Sequence, residues 1–133
     1  MTLEEMRAFI GQDHFATEQC GIRVDSLNED EAVLSMPVET RHLNGNGVVQ
    51  GGAIYTLCDT AFAAAANAGS ARMVNRSAEI TYLKPGRGPV LVARARRISQ
   101  GAAMGLYQIE AYDAQGTLIA FMSANAFSVR SKT

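Results

Sequence analysis

An α+β fold, with an antiparallel sheet of five or six strands wrapped around one long central helix, follows from three observations. From Val48 to Ala71 a single residue carries a formal charge, Asp59, within a run of Ala, Ile, Leu, Phe and Tyr. A helix that is apolar on nearly every side has to be covered on nearly every side. After this run the apolar pattern changes from helical to alternating and stays alternating, as strands require. The alternating segments are short and separated by turn residues, which favours antiparallel neighbours in a meander.

The elements follow in chain order. Residues 1–16 predict an amphipathic helix, with Thr2 as cap, Glu5 three residues on to complete a capping box, and Leu3, Met6, Ala8, Phe9 and Ile10 as its apolar side. Residues 21–27 and 32–36 predict a hairpin turned by Asn28-Glu29-Asp30, with Ile22 and Val24 facing one way and Arg23 and Asp25 the other. Pro37 ends the second strand or marks an edge. A loop over 38–50 leads into the central helix, 51–68, which Gly69 is expected to stop. Ala78, Ile80 and Tyr82 then alternate with Ser77, Glu79 and Thr81 up to the turn Lys84-Pro85-Gly86-Arg87-Gly88. Strands over 90–98, 105–112 and 117–129 complete the sheet, the last two joined across Asp113-Ala114-Gln115-Gly116.

Composition narrows the function classes. The 133 residues make one domain, 47% hydrophobic and 19% charged, so the chain is globular rather than disordered. A net charge of −1 gives no general attraction to nucleic acid or to an anionic membrane. Thr56, Asp59, Thr60 and Asn67 interrupt the central apolar run, so it is not a membrane span. Two distant cysteines, Cys20 and Cys58, read as buried, inert thiols, and with no basic, apolar leader a reducing cytoplasm is the expected location. Two histidines and two cysteines without ligand spacing predict no metal site.

Two features of the central stretch carry chemistry. Gln50-Gly51-Gly52 stands at the helix start, where the first backbone N–H groups have no internal partner and the helix dipole adds positive character. Glycine there admits a ligand oxygen, so the turn is a candidate oxyanion site, to which Asn44 can add an amide donor. The structural alternative is that the glycines only permit a sharp turn. The second feature is Asp59, a carboxylate in a buried helix, able to activate water as a general base or to attack an acyl carbon itself. Its structural alternative is the N-cap of a helix starting at Thr60. Gly51 and Asp59 are eight residues apart, about 12 Å on one helix. One chain cannot bring both to a single reacting carbon, so a homodimer with two symmetric interface sites is expected.

At these residues a family becomes visible. Asn44-x-x-Gly47-x-x-Gln50-Gly51-Gly52, then Leu57-x-Asp59-x-Ala61, resembles the hotdog-fold acyl-CoA thioesterases, above all the PaaI type of phenylacetate degradation. Asp59-Thr60-Ala61-Phe62 and Tyr82-Leu83-Lys84-Pro85 extend the resemblance, which covers about residues 15 to 130. It implies a hotdog fold, hydrolysis of an acyl-CoA to CoA and free acid, no cofactor apart from the CoA in the substrate, and a homotetramer of two dimers. By position, Asp59 resembles the catalytic carboxylate, Gly51 the backbone donor to the thioester oxygen, and Asn44 the asparagine near the reacting group. The family has His-Gly-Gly where this chain has Gln50-Gly51-Gly52. Gln50 can donate and accept hydrogen bonds but cannot shuttle a proton. Gly52 is a candidate to line the pocket, and Asn75 and Ser77, expected on one strand face, are either candidates to reach it or structural polar residues. Arg96 and Arg97, with Lys84, Arg87 and Arg94, are candidates for the CoA phosphates or simply a solvated face. His42 reads as a loop-packing residue and His14 as helix surface. A dehydratase of acyl thioesters would need a histidine on the central helix, which is absent. A non-catalytic acyl-CoA binding or sensing protein is the alternative that the Gln50 change leaves open.

Overall fold

The computed structural model describes residues 1–129; residues 130–133 of the expected 1–133 domain lie outside them. Helix α1 (Leu3–Gly11) is followed by strands β1 (Arg23–Leu27) and β2 (Glu31–Pro37), helix α2 (Gly51–Ala66), and strands β3 (Arg72–Tyr82), β4 (Val90–Gln100), β5 (Met104–Tyr112) and β6 (Leu118–Val129). The six strands form one antiparallel sheet in the order β1-β2-β4-β5-β6-β3. The hotdog-type architecture read from the sequence is what the chain adopts, with one change: only β4, β5 and β6 form a meander. β3 crosses to the far edge beside β6, because α2 runs between it and β2.

The N-terminal helix is shorter than the expected 1–16. Its start is as read, with the Glu5 N–H donating to Thr2 Oγ1 (3.1 Å) and the Thr2 N–H to Glu5 Oε1 (2.8 Å). It ends at Gly11, where the Asp13 carboxylate accepts the Ala16 N–H (3.0 Å) and opens a separate wide turn, Phe15–Gln19. A short polar side chain competing for backbone donors is a sufficient reason for the break. In the hairpin, Ile22 and Val24 are buried while Arg23 and Asp25 are exposed, as their alternation predicts.

Alanines decide how closely α2 approaches the sheet. Ala93, Ala95, Ala111, Ala120 and Ala124 are buried on the sheet, and Ala61, Ala64, Ala65 and Ala66 are buried on the helix. Phe62 fills the remaining depth and meets Tyr107 edge-on, ring centroids 5.4 Å apart. The cover is not complete, however. Gly52, Tyr55, Thr56, Asp59 and Ala63 remain partly exposed along one stripe of α2, which the single sheet leaves uncovered. The helix also stops before Gly69. Asn67, 5% exposed, donates from Nδ2 to the carbonyls of Ala63 (2.8 Å) and Met73 (3.1 Å) and accepts the Met73 N–H (2.8 Å). One amide thus ends α2 and fastens the beginning of β3 to it.

Candidate active site

That fastening sets up the chemistry two residues further on. Asn75 points from β3 toward α2, and its Nδ2 donates to Asp59 Oδ1 at 2.9 Å in a partly buried setting. Asp59 is inside α2, not at its start, so the N-cap alternative is excluded. Burial first, and then the negative charge of Asp59, push up the thiol of Cys58 (to about 12) and the phenol of Tyr55. Cys58 is therefore a neutral core group at ordinary pH, consistent with the inert reading of both free, buried cysteines.

The expectation that Asn75 and Ser77 share a face is corrected. A bulge at Arg76 places one extra residue between them, so Asn75 pairs with Ala126 whereas Ser77 pairs with Asn125. An extra residue reverses the alternation beyond it. Asn75 consequently faces the helix with Ala78 and Ile80, and Ser77 lies on the outer face, where it accepts a hydrogen bond from Asn125 Nδ2 (3.0 Å).

At the other end of the site, Gly51 is the first residue of α2, and among the described residues its N–H and that of Gly52 have no partner. Gln50 caps the helix: its Oε1 accepts the Ala53 N–H at 3.1 Å. This role was not visible beforehand, since the short side chains Ser, Thr, Asp and Asn are the usual caps. The fold of the Gln50 side chain explains Gly52, because a Cβ there would come within 2.6 Å of Gln50 Oε1. Tyr82, at the end of β3, donates from its hydroxyl to the Gly51 carbonyl (2.8 Å) and lies against the glycine, so that a Cβ on Gly51 would be 3.2 Å from the ring. Both residues line a cleft of about 340 Å³ with Val48, Ile54 and Lys84. Asn44 organises the approach loop: its Oδ1 accepts the N–H of Asn46 (2.9 Å) and of Val48 (3.3 Å), leaving its Nδ2 free to donate.

The remaining candidates lie elsewhere. His42 is buried; its Nδ1 accepts the Glu39 N–H (2.9 Å), so Nε2 carries the proton it donates to the Cys20 carbonyl (2.8 Å). It is a loop-packing histidine, as read. His14 is exposed and pairs with Glu18. The cations on β4 do not gather: Arg94 faces Glu31 (3.8 Å), Arg96 faces Glu110 (3.6 Å) and Arg97 contacts Asp30 (2.6 Å). Arg96 lies on the outer face, whereas Arg97 pairs with the buried Tyr107 and faces inward at the end of the sheet. Among the described residues no group of three His, Cys, Asp or Glu is placed to hold a metal ion, and no helix is long and apolar enough to cross a membrane.

The chain as a whole is similar to known proteins. The family model of the thioesterase superfamily matches residues 46–120, which include Gln50, Gly51, Asp59 and Asn75. The chain belongs to the thioesterase superfamily. It is 34% identical over 110 residues to the acyl-coenzyme A thioesterase PaaI of Escherichia coli K12, covering 82% of this chain and 79% of that protein. A protein of Archaeoglobus fulgidus described as a putative esterase is 29% identical over 128 residues, covering 96% of this chain and 83% of that one. The solved structure of the E. coli PaaI protein superposes with a TM-score of 0.86 at 28% identity, over 98% of this chain and 99% of that one. The chain is thus a PaaI-like thioester hydrolase with the hotdog fold, and the family read from the loop and helix motifs is the one it belongs to.

Proposed function

We propose that this thioesterase hydrolyses an acyl-CoA, with an aromatic or medium-chain acyl group, to the free acid and CoA, with the carboxylate of Asp59 doing the chemistry. One observation carries the reading: Asp59 is the single formal charge of a buried helix, it opens onto the uncovered stripe of that helix, and a dedicated amide holds one of its oxygens. The unpartnered Gly51 N–H lies on the same helix, eight residues and about 12 Å away. A reacting carbon cannot touch both, so Asp59 of one chain works with Gly51 of the partner subunit. The uncovered stripe and the free edge strand β3 offer a second copy its seat.

In the direct form of the reaction, Asp59 takes a proton from water as the water oxygen bonds to the thioester carbon. Negative charge gathers on the thioester oxygen, where the partner's Gly51 donates its N–H. The tetrahedral centre then collapses, the C–S bond breaks, and the thiolate of CoA takes up the proton. In the covalent form, Asp59 attacks the carbon, CoA thiolate leaves, and water cleaves the mixed anhydride. Asn44 Nδ2 is the further donor near the reacting group, and Gly52 leaves the turn open to the acyl chain. Arg96, on the outer face, and Arg97, at the inner end of the sheet, remain separate candidates for the CoA phosphates, each exchanging its carboxylate, Glu110 or Asp30, for them. The dimer is the minimal active unit, two dimers form the tetramer, and the cytoplasm is the place of action.

The engagement of Gln50 as a helix cap favours a second reading, an acyl-CoA binder without turnover, because the family's histidine position is occupied by a purely structural side chain. A thiol-detecting assay on a panel of acyl-CoAs, with wild type and Asp59→Ala, decides between them. Thiol release abolished in the variant supports hydrolysis; tight binding of acyl-CoA with no release by wild type supports the binder.

A further inference from the structure

Asn75 combines two properties that a structural side chain has no reason to combine. Its Nδ2 is the one side-chain donor to Asp59 among the described residues. Its own Oδ1 is buried and has no hydrogen-bond donor. A buried carbonyl without a donor destabilises the fold, and an apolar side chain of the same shape would remove that cost. Turning the amide over would set the Asn75 carbonyl against Asp59 Oδ1 and give up the donor that holds it. The bulge at Arg76 is what turns Asn75 inward and puts Ser77 outside, and bulges commonly serve to aim a side chain at a site. Asn67 completes the device by tying Met73, two residues before Asn75, to the end of the same helix that carries Asp59.

We infer that Asn75 is a positioning residue of the hydrolytic site: it holds Oδ1 of Asp59 and so leaves Oδ2 as the oxygen free to take the proton from water or to attack the acyl carbon. The inference rests on the role proposed for Asp59 and adds to it which oxygen reacts and what fixes it. Asn75 itself need not touch the substrate. Losing a group that acts only through the carboxylate lowers kcat and kcat/KM together and leaves KM in place.

The test is Asn75→Leu, assayed for kcat, KM and thermal midpoint beside wild type. A lost hydrogen bond to a charged group predicts a fall in kcat of about ten- to a hundred-fold with KM unchanged. The midpoint should change little, because removing the unpaired buried Asn75 oxygen offsets the donor lost by the partly exposed Asp59. Wild-type kcat in the variant, or a fall in kcat matched by a lower midpoint, overturns the inference. Should Asn75→Leu not fold, Asn75→Ala removes the same donor with a smaller apolar side chain and carries the same kinetic test. A wild type that releases no thiol sinks the hydrolase reading and the role of Asn75 with it, whereas a fully active Asn75→Leu sinks only the latter.

Discussion

Replacing Gly51 with alanine separates the demands of the fold from those of the reaction. The added Cβ would lie 3.2 Å from Cζ and 3.2 Å from the hydroxyl oxygen of Tyr82, and 3.5 Å from Cε1, so the ring has to give by a few tenths of an ångström. It has room to do so, being 48% exposed at the free end of β3. The movement weakens the bond from the Tyr82 hydroxyl to the Gly51 carbonyl, an exposed contact worth about 0.5–1 kcal/mol. Against this, Gly51 has an ordinary helical φ, and glycine to alanine at such a position stabilises by about 0.4–1 kcal/mol through the unfolded chain. The two effects nearly cancel, so the midpoint of urea unfolding should change little. Turnover should not survive so well. Displaced from the glycine, the Tyr82 ring moves within the cleft that the two residues share beside the proposed donor, and kcat/KM should fall at least about tenfold, the scale of one misplaced oxyanion contact. Steady-state hydrolysis of an acyl-CoA and a urea titration on the same preparation provide both readings. The double variant Gly51→Ala/Tyr82→Ala identifies the cause, since removing the ring should restore part of the rate. Full activity in Gly51→Ala, or a loss in rate matched by an equal loss in stability, would refute the reasoning.

Three further outcomes follow from the same geometry. Gln50→Ala removes the helix cap and should cost about 0.5–2 kcal/mol of stability by urea titration; Gly52→Ala, which drives Gln50 Oε1 off the cap but gains about 0.4–1 kcal/mol through the unfolded chain, should cost less, and adding it to Gln50→Ala should cost nothing further. His42→Leu leaves the Glu39 N–H and the Cys20 carbonyl without their partner and should destabilise by about 2–3 kcal/mol in the same titration, with KM for acyl-CoA little changed. Burial raises the Cys58 thiol from 9.0 to about 12, so the native state holds that proton more tightly than the unfolded chain does. Its contribution, on the order of 4 kcal/mol, is complete below about pH 9 and is lost as pH rises toward 12; Cys58→Ala should make the stability profile less steep in that window, which the raised Cys20 and tyrosines share, and Cys58 should resist alkylation in the native protein at pH 8.

Much of this was legible from residue patterns, and the parts that were not share a physical reason. Periodicity located α2 and the strands because burial imposes it directly, and Thr2 with Glu5 announced α1 because a capping box is a local device. Gly51 and Asp59 stood out for the same kind of reason, a missing side chain and a lone charge. The features that were missed depend on partners distant in the chain. The bulge at Arg76 is defined only against β6, so nothing around Asn75 and Ser77 announced that they face opposite ways. Asn67 ends α2 because it finds Met73, and Gly69 reads as the stop only while that partner is out of view. Gln50 caps the helix although its side chain is longer than the usual cap, and the place of β3 at the sheet edge depends on the crossover rather than on any residue of β3.

The central claim is that one chain's Asp59 acts with Gly51 of the partner subunit, and complementation tests it most directly. Asp59→Asn and Gly51→Val proteins, each inactive alone, are unfolded together in equal amounts and refolded, and thiol release is measured. In a mixed dimer both defects fall in one site and leave the other intact. Half the dimers are mixed and each has one working site, so the account predicts recovery of about a quarter of wild-type activity. No recovery from a mixture shown to contain mixed dimers would place the whole site within one chain and contradict it.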